Sequence, residues 1–422
     1  MTNWKEYKLG EITDYINRGV TPSYSEEGVI VINQKCIREG KVSYVQSRFT
    51  DPGKKKITDE KYLQSYDILI NSTGQGTLGR VGQIKDINIQ TTVDSHVTIV
   101  RAKKNINPIF LGYVLKSKQG IIESLAEGTT GQTELSRYKV AEINLLIPDL
   151  PIQNAIAEIL SSLDNKIELN NQINQNLEAL AQALFKQWFV YFEFPDKKGS
   201  PYKSSGGKMI ESELGDIPEG WRVYSMDELL ETVSKTYPLK KVKEVVFLNT
   251  GDIQDGKFLH KNFSNPENLP GQAKKSIAQN DILYSEIRPA NKRFAYVYFD
   301  ASQYVVSTKL MVMRSKVEIN SLFQYFYLTQ QESIKYLQHL AESRSGTFPQ
   351  ITFSEVSTIK VALPDFKLVN TFVEVALKPY YDNQFQVKDE NEKLTQLRDL
   401  ILPKLMSGEL EIKETKDQLT TV

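Results

Sequence analysis

Trp4-Lys5-Glu6-Tyr7 returns as Trp221-Arg222-Val223-Tyr224, 217 positions later, and from there the chain keeps repeating itself in order. Asn33 followed by Gly40-Lys41-Val42 is matched by Asn249 followed by Gly256-Lys257-Phe258, and Asp67-Ile68-Leu69-Ile70 by Asp281-Ile282-Leu283-Tyr284. Leu125-Ala126-Glu127-Gly128-Thr129-Thr130-Gly131 meets Leu340-Ala341-Glu342-Ser343-Arg344-Ser345-Gly346, and Leu146-Ile147-Pro148-Asp149 meets Ala362-Leu363-Pro364-Asp365. A repeat of about 215 residues is far too long for a solenoid unit, so a whole domain-plus-helix module is present twice. Duplication on that scale implies two equivalent ligand sites.

Each copy begins with short strand-like runs separated by turn chemistry. In the first these are Val29 to Asn33, Asp67 to Asn71, Val97 to Val100 and Glu142 to Ile147, with amphipathic stretches at Lys5 to Ile16 and Pro108 to Lys118. Glu39-Gly40, Asp51-Pro52-Gly53 and Ser72-Thr73-Gly74 supply the turns. The second copy places strands at Glu244 to Asn249, Asp281 to Ser285, Val305 to Arg314 and Thr358 to Leu363, and a helix at Ile319 to Gln338. Both read as mixed α/β domains.

From Pro151 the period changes. Ile152, Ile156, Ile159, Leu163, Ile167, Asn170, Ile173, Leu177, Leu180, Leu184 and Trp188 fall at steps of three and four, a coiled-coil-like seam. The second copy gives Leu368, Phe372 and Val375, a break at Lys378-Pro379, then Phe385, Leu394, Leu397, Leu400, Ile401 and Leu405, with Pro403 expected to kink or end the helix. A helix of about 38 residues is roughly 55 Å long, too long to bury within one such domain. It needs another helix, and the other copy supplies one. Asn170, polar at a seam position, is expected to fix the register. The division that follows is a domain at 1–150, a helical spacer at 151–197, a linker at 198–213, a second domain at 214–365, a second spacer at 366–412 and a frayed tail at 413–422.

Net charge is zero, but it is unevenly spread. Residues 1–150 carry 20 basic and 17 acidic side chains and 216–365 carry 18 and 17, while 151–197 carry 3 and 6. Slightly basic domains on acidic helices permit polyanion binding, which depends on local Lys and Arg clusters rather than the total. One cysteine, an N-terminus without an apolar core and no run near the roughly 20 apolar residues of a membrane span point to a cytoplasmic protein with no membrane association.

Catalytic patterns are wanting. Gly74-Gln75-Gly76-Thr77-Leu78-Gly79 has dinucleotide-fold spacing, but Arg80-Val81-Gly82 does not open a helix and the second copy, Glu286-Ile287-Arg288-Pro289, has no glycine there. His96, His260 and His339 lack metal-ligand spacing to Cys36, no phosphate-binding Gly-rich loop ends in Lys-Ser or Lys-Thr, and no Asn-Pro-Pro-aromatic run is present.

The loops are richer. In the first copy Arg18, Thr21, Lys35, Arg38, Lys41, Lys54, Lys55, Asn71, Ser72, Thr73, Gln75, Arg80, Thr129, Thr130 and Gln132 are candidate DNA contacts. In the second they are Lys257, His260, Lys261, Glu286, Arg288, Lys292, Arg293, Arg344, Ser345, Thr347 and Gln350, with Pro349-Gln350 in place of Glu134-Leu135 after one extra residue. Arg pairs bidentately with guanine, Asn or Gln with adenine, and Glu accepts from cytosine, while Lys and Ser/Thr reach phosphate. Two copies that keep core positions but differ in loop chemistry suit two readers of two different short sequences. Trp188, Phe189 and Phe192, beside the seam, are candidate docking residues for a partner helix.

The repeat resembles the specificity subunit of Type I restriction-modification systems. The resemblance is carried by Pro151-Ile152-Gln153-Asn154-Ala155-Ile156 running on to Lys166-Ile167, Leu177-Glu178-Ala179-Leu180, Leu214-Gly215-Asp216-Ile217-Pro218, and Leu402-Pro403-Lys404-Leu405-Met406-Ser407-Gly408. It implies an α+β fold of two target recognition domains joined by two long helices packed as an antiparallel coiled coil with pseudo-two-fold symmetry. It further implies a non-catalytic protein that reads a bipartite double-stranded DNA target, with the helices as a ruler. Two methyltransferase subunits carrying S-adenosylmethionine, and restriction subunits, would assemble on it, and no cofactor is expected on the chain itself. The alternatives are a duplicated scaffold or adaptor protein without DNA specificity, and a standalone enzyme.

Overall fold

The computed structural model describes residues 4–127 and 133–410. The expected tail, and Thr129, Thr130 and Gln132, lie outside them. The described chain divides into two compact units, one made of residues up to Asn171 together with those from Lys388, the other of Gln172–Val387. These cut across the expected division, because each globular domain shares its core with parts of both long helices.

In the first unit a six-stranded sheet runs in the order Thr13–Arg18, Val97–Ala102, Ile68–Asn71, Val81–Gln83, Gly40–Val42, Ile37–Arg38. Beside it a second sheet is ordered Thr91–Val93, Val29–Ile32, Arg48–Thr50, Tyr24–Ser25. The central strands carry apolar runs, Val29-Ile30-Val31-Ile32 and Ile68-Leu69-Ile70, largely buried on both faces. Lys5–Ile16 departs from its amphipathic-helix reading. Lys5–Lys8 pairs with Asn144–Ile147, a 3₁₀ turn covers Leu9–Glu11, and Thr13–Arg18 pairs with Val97–Ala102. Spacing alone fitted a helix, but partner strands far along the chain claimed the backbone.

The second unit repeats the plan. Leu230–Thr232, Leu310–Ser315, Ile282–Ser285 and Phe294–Tyr296 form one sheet, and Phe263–Ser264, Val245–Leu248, Tyr304–Ser307 and Ala273–Ser276 another. The expected strand Val305 to Arg314 is thus two strands with a turn, and the expected helix Ile319 to Gln338 is two helices, Ser321–Leu328 and Gln331–Arg344. The hydroxyl of Thr329 donates back to the carbonyl of Tyr325 at the break, where a side chain competes with the helix for its own carbonyls. Asp67 and Asp281 occupy the same place in the two copies, each gripped by an arginine: Arg101 at 2.7–2.8 Å and Arg314 at 2.7–2.9 Å. Part of the expected linker is ordered as well, since Met209–Ser212 pairs with Gly215–Pro218.

The helices behave as the seam requires. The first spans Leu150–Phe185 and passes into a π-helical turn at Lys186–Val190. The second runs Phe366–Phe372, then a π-helical turn at Val373–Leu377, then Lys378–Ser407. No break occurs at Lys378-Pro379. The wide turn lies directly before Pro379, where the ring would otherwise meet the carbonyl four residues back. Pro403 lies just before the last turn and does not end the helix, which continues to Ser407. In the first unit Asp164 meets Arg398 and Asn170 meets Glu390; in the second Asn174 meets Asn383. Within each unit the pairing is therefore antiparallel. Ile156, Ile159, Leu160 and Leu163 join Ile401 and Leu405 in the first unit's core, and Ala181 and Phe185 join Phe372 and Leu377 in the second's.

Candidate nucleic-acid interface

In the first copy the candidate residues separate by what the fold has done with them. Thr21, Lys35, Arg38, Lys41, Lys54, Lys55 and Gln75 are exposed. Lys41 Nζ stands 3.7 Å from Glu168, a solvated pair of little energetic weight. Arg18 is half-buried and ion-paired with Glu134, and its guanidinium also donates to the carbonyl of Leu135 at 3.0 Å. Arg80 donates to the carbonyl of Gly76 at 2.7 Å, and the Thr73 hydroxyl is 2.8 Å from His96 Nδ1. These three shape the loops that the exposed residues decorate.

Asn71 and Ser72 need correction as DNA contacts. Both are buried; Asn71 Nδ2 donates to the carbonyls of Gln34 and Thr77 at 3.0 Å each, and Ser72 shares a 2.6 Å hydrogen bond with Thr98. They end the strand Ile68–Asn71 and tie down the turn that follows, where they cannot reach a base edge. That turn leads from Ile68–Asn71 straight into its antiparallel neighbour Val81–Gln83, so the glycine-rich run 74–79 is a strand connection.

In the second copy Lys257, Arg288, Arg344, Thr347 and Gln350 are exposed, and Lys261 lies on an exposed loop. His260 Nε2 is 3.5 Å from Asp252, Lys292 Nζ 3.6 Å from Asp255, and Glu286 3.5 Å from Lys309. Arg344 donates to Glu355 at 2.7 Å. Burial works against the Glu355 charge, but hydrogen bonds from Thr352 and the nearby Arg344 hold its carboxyl below the usual range. Ser345 accepts from the Phe348 N–H at 3.1 Å, and Arg293 is half-buried. The two copies join their loops alike: Leu135 N–H donates to the Ser72 carbonyl at 2.8 Å, and Ile351 N–H to that of Glu286 at 2.9 Å. Gln350-Ile351, not Pro349-Gln350, is therefore the counterpart of Glu134-Leu135, and the extra residue lies before it.

The docking reading fails for Phe189, while Trp188 and Phe192 are half-buried and pack against the same core. Phe189 is buried, with rings of Phe323 at 4.9 Å and Phe372 at 5.0 Å; Trp188 lies 5.4 Å from Phe372, and Phe192 5.4 Å from Trp221. Their apolar spacing belonged to the domain core that the helix end enters.

Sequence reasoning missed a matched pair of exposed aromatics. Phe49 lies opposite Ile30 on Arg48–Thr50, and Phe263 opposite Val246 on Phe263–Ser264, equivalent strands of the two copies. Both are exposed, and the Arg48 guanidinium stacks 3.3 Å over Tyr24 beside the first. The signal was present as Arg48-Phe49-Thr50-Asp51-Pro52 against Asn262-Phe263-Ser264-Asn265-Pro266. Flat aromatic faces among Lys54, Lys55 and Lys261 suit sugar and base contact.

The sequence model of the Type I restriction modification DNA specificity domain matches residues 1–179 and again 218–368. The HindI specificity subunit of Haemophilus influenzae is 47% identical over 146 residues, 34% of this chain and 32% of that one. The putative MjaX specificity subunit of Methanocaldococcus jannaschii is 23% identical over 430 residues, covering 97% of this chain and 94% of its own. Among solved structures, the S subunit of a Type I restriction-modification system from M. genitalium has the same fold, with a TM-score of 0.60 at 17% identity over 96% of both chains. No helix among the described residues is long and apolar enough to cross a membrane.

Proposed function

Since the chain belongs to the Type I restriction-modification DNA specificity family, we propose that its two domains each read one half of a bipartite double-stranded DNA target. The observation that carries this reading is the duplication: equivalent sheets bear equivalent loops whose exposed side chains differ between the copies. Members of this family are non-catalytic recognition subunits, and DNA specificity is what sets them apart from a plain scaffold.

The interface is formed in the first copy by Thr21, Lys35, Arg38, Lys41, Lys54, Lys55 and Gln75, and in the second by Lys257, Lys261, Arg288, Thr347 and Gln350. Lysines neutralise phosphate and set position, while Arg and Gln address base edges. The paired helices act as the ruler. Half-sites a helical turn apart are roughly 34 Å from one another, so a gap of several uncontacted base pairs separates them. Two methyltransferase subunits, which would hold the S-adenosylmethionine, and restriction subunits are the partners, in the cytoplasm.

Sequencing methylated adenines in host DNA with and without this chain tests the reading. The expected result is a two-part motif present only with the chain; methylation that is unchanged without it rejects the proposal. Four residues inserted into each helix add roughly 6 Å. They should then lengthen the gap and leave both half-sites as they were, and an altered half-site counts against the ruler.

A further inference from the structure

The turns that follow Ile68–Asn71 and Ile282–Ser285 are equivalent. Asn71 N–H donates to the Arg80 carbonyl at 3.0 Å, and Ser285 N–H to that of Arg293 at 2.9 Å. Counting from these anchors, Gly74 corresponds to Arg288 and Gly79 to Lys292. All four have left-handed backbone: φ is +105° and +79° at the glycines, +44° at Arg288 and +53° at Lys292. Glycine takes this conformation freely, whereas a residue with a Cβ does so only under strain. Arg288 is further restricted by Pro289 after it. The second copy thus has strained cations where its twin has the unstrained residue.

The surroundings hold the strain in place. Arg288 N–H donates to the Pro349 carbonyl at 3.1 Å, Ala290 N–H to Gln338 at 3.0 Å, and the Lys292 carbonyl accepts from Asp255 N–H at 2.7 Å. Strain kept this way concentrates at functional positions. The Arg288 guanidinium meets the Thr347 carbonyl at 3.4 Å, a long contact that neutralises nothing. Next along the chain stands Phe348, 71% exposed, with its backbone fixed by Ser345 on one side and buried Pro349 on the other. The equivalent stretch of the first copy, Thr129 to Thr133, contains no aromatic residue.

Resting on the DNA-recognition reading above, we propose that Arg288 and Phe348 determine specificity for the second half-site, the guanidinium addressing a base edge and the phenyl ring entering beside it as an apolar wedge. A bidentate arginine and an inserted phenylalanine are established modes of base contact. The turn that carries Arg288 also carries Lys292 and Arg293, and positive charge of this kind suits phosphate contact, which favours nucleic acid over a protein surface.

The test uses the full chain with its methyltransferase partner and reads the methylated motif in host DNA for Arg288→Gly and Phe348→Ala. Each should make one or more bases of a single half-site degenerate, with a 10–100-fold fall in discrimination there, and leave the other half-site unchanged. Arg288→Gly should keep or raise the thermal midpoint, because it restores the residue that the first copy uses. An unaltered motif for both variants overturns the inference. So does a midpoint that falls with both half-sites weakened together, or loss of the methyltransferase partner by Phe348→Ala with the motif intact, which would make the ring a protein contact. A wild-type chain that confers no motif sinks the function proposed above, and this inference with it.

Discussion

Asn170 of the first long helix donates from its amide nitrogen to Glu390 at 2.7 Å and to Asn391 at 2.9 Å on the second, while its own side chain is almost fully buried. The neighbouring seam positions Leu163 and Ile167 are apolar, so this polar pair has one alignment and a slipped helix would leave the amide unpaired. Replacement by alanine removes the bonds and leaves a gap, and should cost about 1–2 kcal/mol. Leucine fills the space with apolar surface and should leave stability within about 0.5 kcal/mol of wild type. Urea unfolding measures both, and a leucine variant as weak as the alanine one would show that the amide is needed for stability and not for alignment.

Asp164 sits between the Tyr113 hydroxyl at 2.6 Å and the Arg398 guanidinium at 2.7 Å. Burial penalises its charge, but these two donors prevail and hold the carboxyl below the ordinary aspartate value of 3.8. A depressed carboxylate stabilises the fold above its unfolded pKa and ceases to do so as the pH falls through the folded one. The stability difference between wild type and Asp164→Asn should therefore be constant at neutral pH and shrink below 3.8. A difference that does not change with acidification would assign the effect to packing.

Phe189 is a core residue and should behave as one. Phe189→Ala is expected to cost about 3–5 kcal/mol, whereas Tyr191→Ala, two residues on and exposed, should stay within about 0.5 kcal/mol. Thermal unfolding of the chain without partners distinguishes the sites. A stable Phe189→Ala protein that no longer binds methyltransferase would restore the docking reading.

Lys54 and Lys55 are exposed in the turn that follows Arg48–Thr50. If they neutralise phosphate, replacing both with alanine reduces the slope of log affinity against log salt by about 2 and weakens all DNA sequences alike. Asn71→Ala should do the reverse, lowering stability because it empties a buried hydrogen-bonded site, with no change in salt slope. Titrations of the assembled complex at several salt concentrations decide; an unchanged slope for the double lysine variant removes the pair from the interface.

How far the sequence speaks follows from the physics of each element. Val29–Ile32 and the Ile68-Leu69-Ile70 run are legible because strands buried on both faces show apolar residues one after another, and the Ile156–Leu163 stretch because its three-four spacing persists over many turns. Lys5–Ile16 was misread since pairing with Asn144–Ile147 and Val97–Ala102 is decided by residues far away. At Trp188, Phe189 and Phe192 the apolar pattern was real but its addressee was the chain's own domain. Loop chemistry marked the exposed lysines correctly as exposed, yet composition could not separate them from Asn71, which uses the same polarity to brace a turn. The strain at Arg288 has no sequence signature except by comparison with Gly74 in the other copy.

One unit is continuous in sequence, Gln172–Val387, whereas the other joins residues up to Asn171 with those from Lys388. Trp4 rests against Gly408, whose left-handed turn at φ +73° would put any Cβ 2.8 Å from the indole nitrogen. A ribosome emits the first segment long before the last, so the side of Ile156, Ile159 and Leu163 that faces Ile401 and Leu405 stays open to water until those two arrive. The body that begins first must finish last, and a truncated product ending before Lys388 would carry that greasy stripe bare to chaperones and proteases.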